Sequence, residues 1–320
     1  MLEKKRTGLV MGVIGSLFLC LAATRRKNRP KSKAVLVLGN GRSGTSVLTR
    51  ALNFMGVDLG NDKFLKPRKE NPKGFFENET IINLHKKIGS KIRYRPASRG
   101  YEHSRKIQPY KEELRNYVQK QFIDTGKPVW GWKDPRTNDY LALWQDILHK
   151  LHVEPHYIII IRNPIDVVAS NKRAWNRDET WALRQWQVRT LLSLRDTYGG
   201  KRVIVSYEQL FHHPLECLRR IAQTVQLPWV KDEAKLQKQL DSFIDPHLQR
   251  SDSHSSLENF KRREDVSQDV KDLYLLALEG TRNQDYFQSR AFHRRVEKLY
   301  QDYLKHYGPL YRDPPKKDNA

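Results

Sequence analysis

The chain has 320 residues, in which Lys and Arg outnumber Asp and Glu by 59 to 36, for a formal charge of +23. That length suits one α/β catalytic domain with additions, and the charge attracts polyanions, phosphorylated ligands or anionic membrane surfaces without choosing among them. Two cysteines, Cys20 and Cys217, exclude a disulfide framework and a Cys-rich zinc site and fit a reducing compartment.

Residues 8–23 carry no charge and are flanked by Lys4, Lys5 and Arg6 before and by Arg25, Arg26, Lys27, Arg29, Lys31 and Lys33 after. As a helix this run would cover about 24 Å of a ~30 Å hydrocarbon core, with the basic side chains able to snorkel, so it reads as a single-pass membrane anchor. A cleaved signal peptide competes, because residues 21–23 end in small side chains, but the basic stretch that follows is unfavourable for export. The excess of Lys and Arg after the run places the catalytic domain on the cytoplasmic side. The expected organisation is an anchor and basic linker at 1–33, a catalytic core at 34–250, a helical extension of the same domain at 251–312 and a disordered tail at 313–320.

Residues 34–38 form a short apolar run that ends in a glycine-rich turn, the pattern of a buried parallel strand. Leu48, Ala51, Leu52 and Met55 then repeat at helical spacing from Thr45 to a stop at Gly56. Further strands are predicted at 129–132, 157–161 and 202–206, separated by enough chain for crossover helices. The expected fold is therefore an α/β, P-loop-like three-layer architecture with a central parallel sheet and a helical C-terminal region. The basic stretch from Arg93 to Lys106 reads either as an acceptor-binding lid or as a solvated loop leading into a helix. Trp175, Trp181 and Trp186 are expected to share one amphipathic helix and to pack in the core.

The turn Gly39-Asn40-Gly41-Arg42-Ser43-Gly44-Thr45-Ser46 joins strand to helix, so its backbone N–H groups and the helix N-terminus make an anion cradle. Its glycines are spaced as in nucleoside triphosphatases, but Thr45 stands where those proteins have lysine and the cation comes earlier, as Arg42. Further on, Arg162 ends a strand, Asn163 and Pro164 open a helix, and Ser170 lies two turns into it. Arginine suits bidentate phosphate recognition, so Arg162 and Ser170 could hold a second phosphate, and two separated phosphates point to a 3′,5′-bisphosphate.

On these residues the chain resembles the sulfotransferases that use 3′-phosphoadenosine 5′-phosphosulfate. Gly39 to Ser46 looks like their 5′-phosphosulfate loop, Arg162 with Ser170 is similar to their 3′-phosphate motif, and Ser206-Tyr207-Glu208-Gln209-Leu210 resembles a downstream stretch whose tyrosine lies near the adenine. The likeness covers about residues 34–214, with 243–248 similar to bacterial members. It implies a P-loop-like fold, that nucleotide as co-substrate and no required metal. In its terms Gly41, Arg42, Ser43, Gly44, Thr45 and Ser46 bind the phosphosulfate, Arg162 and Ser170 the 3′-phosphate, and Tyr207 the adenine side. The family's C-terminal glycine-rich adenine loop has no match, and Trp132-Lys133-Asp134-Pro135-Arg136 stands in place of the cytosolic members' Lys-Thr-His stretch.

Sulfuryl transfer needs an in-line acceptor, removal of its proton and stabilisation of charge on the leaving oxygens. Arg42 and Lys133 are the expected cations. The segment from Asn71 to Thr80 resembles the place where glutamate-base sulfotransferases carry their base, which assigns the role to Glu77, ahead of Glu79, Asp134 and His85. A neighbouring helix-dipole role for Glu77, and a salt-bridged turn for Asp134 and Arg136, are the simpler alternatives. The anchor and the basic stretch point to a glycan or lipid-linked hydroxyl acceptor, or an amine, and no nucleic acid is expected. Rival readings are a P-loop kinase, disfavoured by Thr45, and a basic protein that binds nucleic acid or membrane surfaces.

Overall fold

The computed structural model describes residues 32–92, 100–244 and 257–308. The uncharged run 8–23, residues 93–99 of the basic stretch, residues 245–248 and the tail 313–320 lie outside the described residues. Among the described residues no helix is long and apolar enough to cross a membrane.

Four parallel strands, β1 (Lys33–Leu38), β2 (Val129–Lys133), β3 (Glu154–Ile161) and β4 (Lys201–Ser206), form one sheet in the order β2-β1-β3-β4. All four predicted strands are present, and β3 begins three residues before its predicted start. Alternate residues serve two cores, because successive side chains on a strand point to opposite faces. Val35, Val37, Ile158, Ile160, Val203 and Val205 enter one core, and Leu36, Leu38, Ile159, Ile161 and Ile204 the other. With both faces covered, the strands are apolar throughout, which is why their sequence shows runs rather than alternation.

The helices follow in chain order. After β1 come α1 (Thr45–Phe54), α2 (Glu79–Lys91) and α3 (Gln108–Val118); α4 (Leu141–Lys150) precedes β3. Between β3 and β4 lie α5 (Pro164–Trp175) and α6 (Glu179–Asp196), and after β4 lie α7 (Tyr207–His212), α8 (Pro214–Thr224) and α9 (Glu233–Phe243). The predicted helical C-terminal region consists of α10 (Leu257–Arg262), α11 (Gln268–Arg282), α12 (Gln284–Gln288) and α13 (Arg290–Tyr307). Helices α1, α8 and α9 cover one face, while α4, α6, α11 and α13 cover the other, giving three layers. Cys217 is buried in α8, where burial pushes its thiol up to about 12, so it is an inert core residue.

The three tryptophans do not share one helix. Asn176, at φ 48, ends α5 in the left-handed conformation, so Trp175 closes that helix and Trp181 and Trp186 begin anew on α6. Of the three only Trp186 is fully buried, and its indole donates to Arg162 O at 3.2 Å.

The strand order places the site. The chain leaves β1 toward β2 on one side, and leaves β3 toward β4 on the other. Their outgoing loops therefore part at a crevice between the C-terminal ends of β1 and β3, the position where open parallel sheets bind ligands.

Candidate active site

The loop that leaves β1 is built by two tight glycines. Gly39 has φ +145, and a Cβ there would stand 2.6 Å from Ile160 O; Gly44 has φ +86, and a Cβ there would stand 2.8 Å from the Tyr207 ring. Both positions need a residue without a side chain. Gly44 caps α1, so no cap side chain occupies the first N–H groups of that helix, and these remain suited to an anion. Ser43 Oγ is buried and has no hydrogen-bond partner among the described residues, so the loop presents a polar group that the protein itself does not satisfy. Thr45, in the place of the usual lysine, is buried against Gly39.

Arg162 and Ser170 converge on this loop as their spacing predicts. Asn163 caps α5 through Ile165 N, with Pro164 at the first helical position, and both Arg162 and Ser170 are buried. Arg162 Nη1 donates to Arg42 O at 2.9 Å, and the Arg42 Nε donates to Ser170 Oγ at 2.9 Å. Arg42 itself has φ 73 and also donates to Glu70 O, beside the Trp175 ring. Its guanidinium thus joins the Ser170 side of the site. Trp175 Nε1 donates to the Glu70 carboxylate, which is held below its usual range by its own backbone N–H, against desolvation, with Trp175 and the charges of Arg68 and Arg42 adding to the effect.

Tyr207 is buried at the start of α7, packed against Gly44 on one side and beneath the Arg162 guanidinium, which lies 4.0 Å from the ring centroid. Burial raises its phenol above the ordinary value, against the opposing charge of Arg162. The tyrosine expected near the adenine is therefore also a prop for the loop and for Arg162.

A second cluster lies at the C-terminal end of β2. Lys133 is buried and donates to Glu77 Oε1 at 2.7 Å and to Ser46 Oγ at 3.2 Å, so it joins the candidate base to the first turn of α1. Arg136 Nη1 lies 4.0 Å from Glu77 Oε2. Glu77 precedes its helix rather than opening it: Asn78 caps α2, and the acid in the first turn is Glu79. This corrects the helix-dipole reading of Glu77. Phe76, at φ 53, sends its ring toward Phe243 and Arg50, and the Glu77 carboxylate is partnered by Lys133.

Asp134 and His85 are fully engaged elsewhere. Trp144 Nε1, which can only donate, points to His85 Nε2 at 2.8 Å; His85 therefore carries its proton on Nδ1 and gives it to Asp134 Oδ2 at 2.7 Å. Arg136 binds Asp134 Oδ1 through both its backbone N–H and Nη1. Burial alone would raise the Asp134 carboxyl, but the Arg136 charge and the hydrogen bonds from His85 and Arg136 outweigh it and hold it far below the usual range. The expected salt-bridged turn is present, and it holds neither a free base nor an open metal ligand. Among the described residues no group of three or more His, Cys, Asp and Glu is arranged to hold a metal ion.

A parallel sheet with an uncapped glycine loop at its switch crevice, Arg42, Arg162 and Ser170 beside that loop and a buried Lys133–Glu77 pair at the end of β2 is the arrangement of an α/β enzyme whose crevice suits an anionic ligand. The sulfotransferase family model matches residues 34–231, more than half of the chain, and the protein belongs to that family. It is a sulfotransferase enzyme, with a donor of the phosphoadenosine phosphosulfate type. Solved structures similar to it include the sulfotransferase domain of the Synechococcus PCC 7002 olefin synthase, at 16% identity over 87% of this chain and 96% of that one, TM-score 0.39. The sulfotransferase domain of the curacin biosynthetic pathway shares 14% identity over 84% and 97%, TM-score 0.41. Sulfotransferase STF9 from Mycobacterium avium shares 13% over 89% and 79%, TM-score 0.43. The comparison with curated proteins returned no match.

Proposed function

We propose that the protein transfers the sulfuryl group of 3′-phosphoadenosine 5′-phosphosulfate to a hydroxyl or amine of a glycan or lipid-linked acceptor, in line, with Glu77 as general base. The observation that supports this most is the meeting of the two halves of the site across α1: Arg42, Arg162 and Ser170 on one side, and Ser46, Lys133 and Glu77 on the other. The unsatisfied Ser43 hydroxyl and the open N–H groups of α1 fit an anionic group in the loop. When bound, the donor supplies the sulfuryl group and a bisphosphate leaving group.

The protein's own residues then have distinct tasks. Gly41 to Ser46 hold the 5′-phosphosulfate through backbone N–H groups and hydroxyls, and Arg162, Ser170 and Arg42 hold the 3′-phosphate. Lys133 meets the charge that develops on the leaving oxygen, and Tyr207 keeps the loop and Arg162 in place. Glu77 Oε1 is tied to Lys133, which leaves Oε2 to take the acceptor proton. The uncharged run 8–23 serves as a single-pass anchor with the catalytic domain on the cytoplasmic side, a reading supported by the sequence alone.

The donor half is tested by calorimetry on the full chain with 3′,5′-adenosine bisphosphate and with 5′-AMP, which differ only at the 3′-phosphate. The wild type should prefer the bisphosphate, and Arg162→Ala should remove roughly 1.5 to 3 kcal/mol of that preference, the worth of a hydrogen bond to a charged group. Equal affinity for the two ligands in the wild type, or tighter binding of ATP with magnesium, would sink the assignment of Arg162 and Ser170.

A further inference from the structure

The short turn after β2, Pro135–Tyr140, carries Asn138, which is buried and 99 positions away in sequence from the residue it grips. Its Oδ1 accepts the Gly39 N–H at 3.0 Å, and its Nδ2 donates to Gly39 O at 3.0 Å. The same Nδ2 donates to Pro135 O at 2.6 Å, and Oδ1 accepts from Ser193 Oγ of α6 at 2.5 Å. Both amide protons and two acceptor directions of the oxygen are used, so the amide is saturated and its orientation is fixed: reversing it would set donor against donor at Gly39 N. Aspartate has no proton to give Gly39 O, and glutamine reaches too far.

The next residue extends the grip. Asp139 takes a two-pronged contact from Arg189 of α6, and Arg189 Nη1 lies 3.4 Å from Asn40 Oδ1. Consecutive residues of the turn thus hold consecutive residues at the start of the donor loop, against one helix. Gly39 is where the chain leaves β1 with φ +145, and every N–H group that follows in the loop takes its direction from there. An anion cradle works through preset N–H directions, so an unfixed first residue would make ordering the loop part of the cost of binding.

We infer that Asn138 is a positioning residue for the 5′-phosphosulfate loop, setting donor affinity through Gly39 without touching the donor, with Ser193 holding the Asn138 amide in register. The inference rests on the assignment of the loop to the 5′ end of the nucleotide and of Arg162 to the 3′ end.

The test uses the full chain with Asn138→Leu and Ser193→Ala, neither of which changes charge, and three probes: 3′,5′-adenosine bisphosphate, 5′-AMP and 3′-AMP. Asn138→Leu should weaken the bisphosphate and 5′-AMP by roughly tenfold, the worth of about one buried hydrogen bond, and leave 3′-AMP within about twofold. Ser193→Ala should show the same selectivity at roughly threefold. Arg162→Ala should show the opposite bias, losing 3′-AMP far more than 5′-AMP, whose loss is limited to that of the Arg162 hydrogen bond to Arg42 O. A general disturbance of the fold would weaken all three ligands together, and that result, or an unchanged ratio of bisphosphate to 3′-AMP in the folded variants, overturns the inference. If Asn138→Leu does not fold, the ratio in Ser193→Ala decides alone. Failure of the wild type to prefer the bisphosphate would fall on the donor-site reading instead.

Discussion

Glu77→Gln should lower kcat by about 10²- to 10⁴-fold, the range a positioned general base contributes, while leaving the affinity for 3′,5′-adenosine bisphosphate within about twofold. The separation follows from the geometry. Glutamine keeps a carbonyl oxygen that accepts from Lys133 Nζ, now 2.7 Å from Oε1, so the lysine and through it Ser46 retain their places. What is lost is the ability of the second oxygen to take a proton. The competing groups lack that freedom: Asp134 is bound by Arg136 and His85, and His85 has both ring nitrogens committed. Glu79→Gln, in the first turn of α2, should stay within about threefold of wild type. The measurement is steady-state transfer from labelled donor to an acceptor found by screening. A kcat for Glu77→Gln close to wild type would make Glu77 a counter-ion of Lys133 only, and would move the search for the base to Glu79.

Residue type and local order made much of this site readable before the fold. Strands such as 34–38 announce themselves because a strand buried on both faces must be apolar at every position and must end where the chain turns. Arg162 and Ser170 were legible because Asn163 and Pro164 mark a helix start, and that start fixes where Ser170 points. Four other features carry no local signal. The pairing of Glu77 with Lys133 spans 56 positions, and that of Asn138 with Gly39 spans 99, so each exists only once β1 and β2 lie side by side. Arg42, read from the sequence as a ligand of the phosphosulfate, donates to Ser170 Oγ and to Glu70 O, a side-chain direction that its place in the loop does not announce. Trp175 was expected in the core, and it closes a helix beside Arg42 because Asn176 breaks the periodicity there. Periodicity finds faces of continuous elements and misses a break that one left-handed residue makes.

Lys133→Met should destabilise the protein by about 3 to 5 kcal/mol, because it removes one partner of a buried ion pair and leaves the other charge without its counter-ion. Lys133 is 1% exposed and Glu77 7%, so water cannot take over the solvation of the carboxylate, and Arg136 would have to leave Asp134 to replace the lysine. The double variant Lys133→Met, Glu77→Gln should recover most of the loss, since the charge that was stranded is gone. Both proteins should turn over slowly, the single change alone costing about 10²- to 10³-fold in kcat for a lost oxyanion partner and the double variant more. Urea denaturation of the two variants and the wild type gives the answer. A loss below about 1 kcal/mol for Lys133→Met is the size of an exposed pair and would mean that Glu77 finds another partner or reaches solvent when the lysine is gone. The same group would then be open enough to meet an acceptor without any movement of the turn that carries Lys133. A full loss with recovery in the double variant means instead that Glu77 depends on Lys133 alone for its counter-charge, so that Oε1 stays with the lysine and Oε2 is the oxygen left for the acceptor.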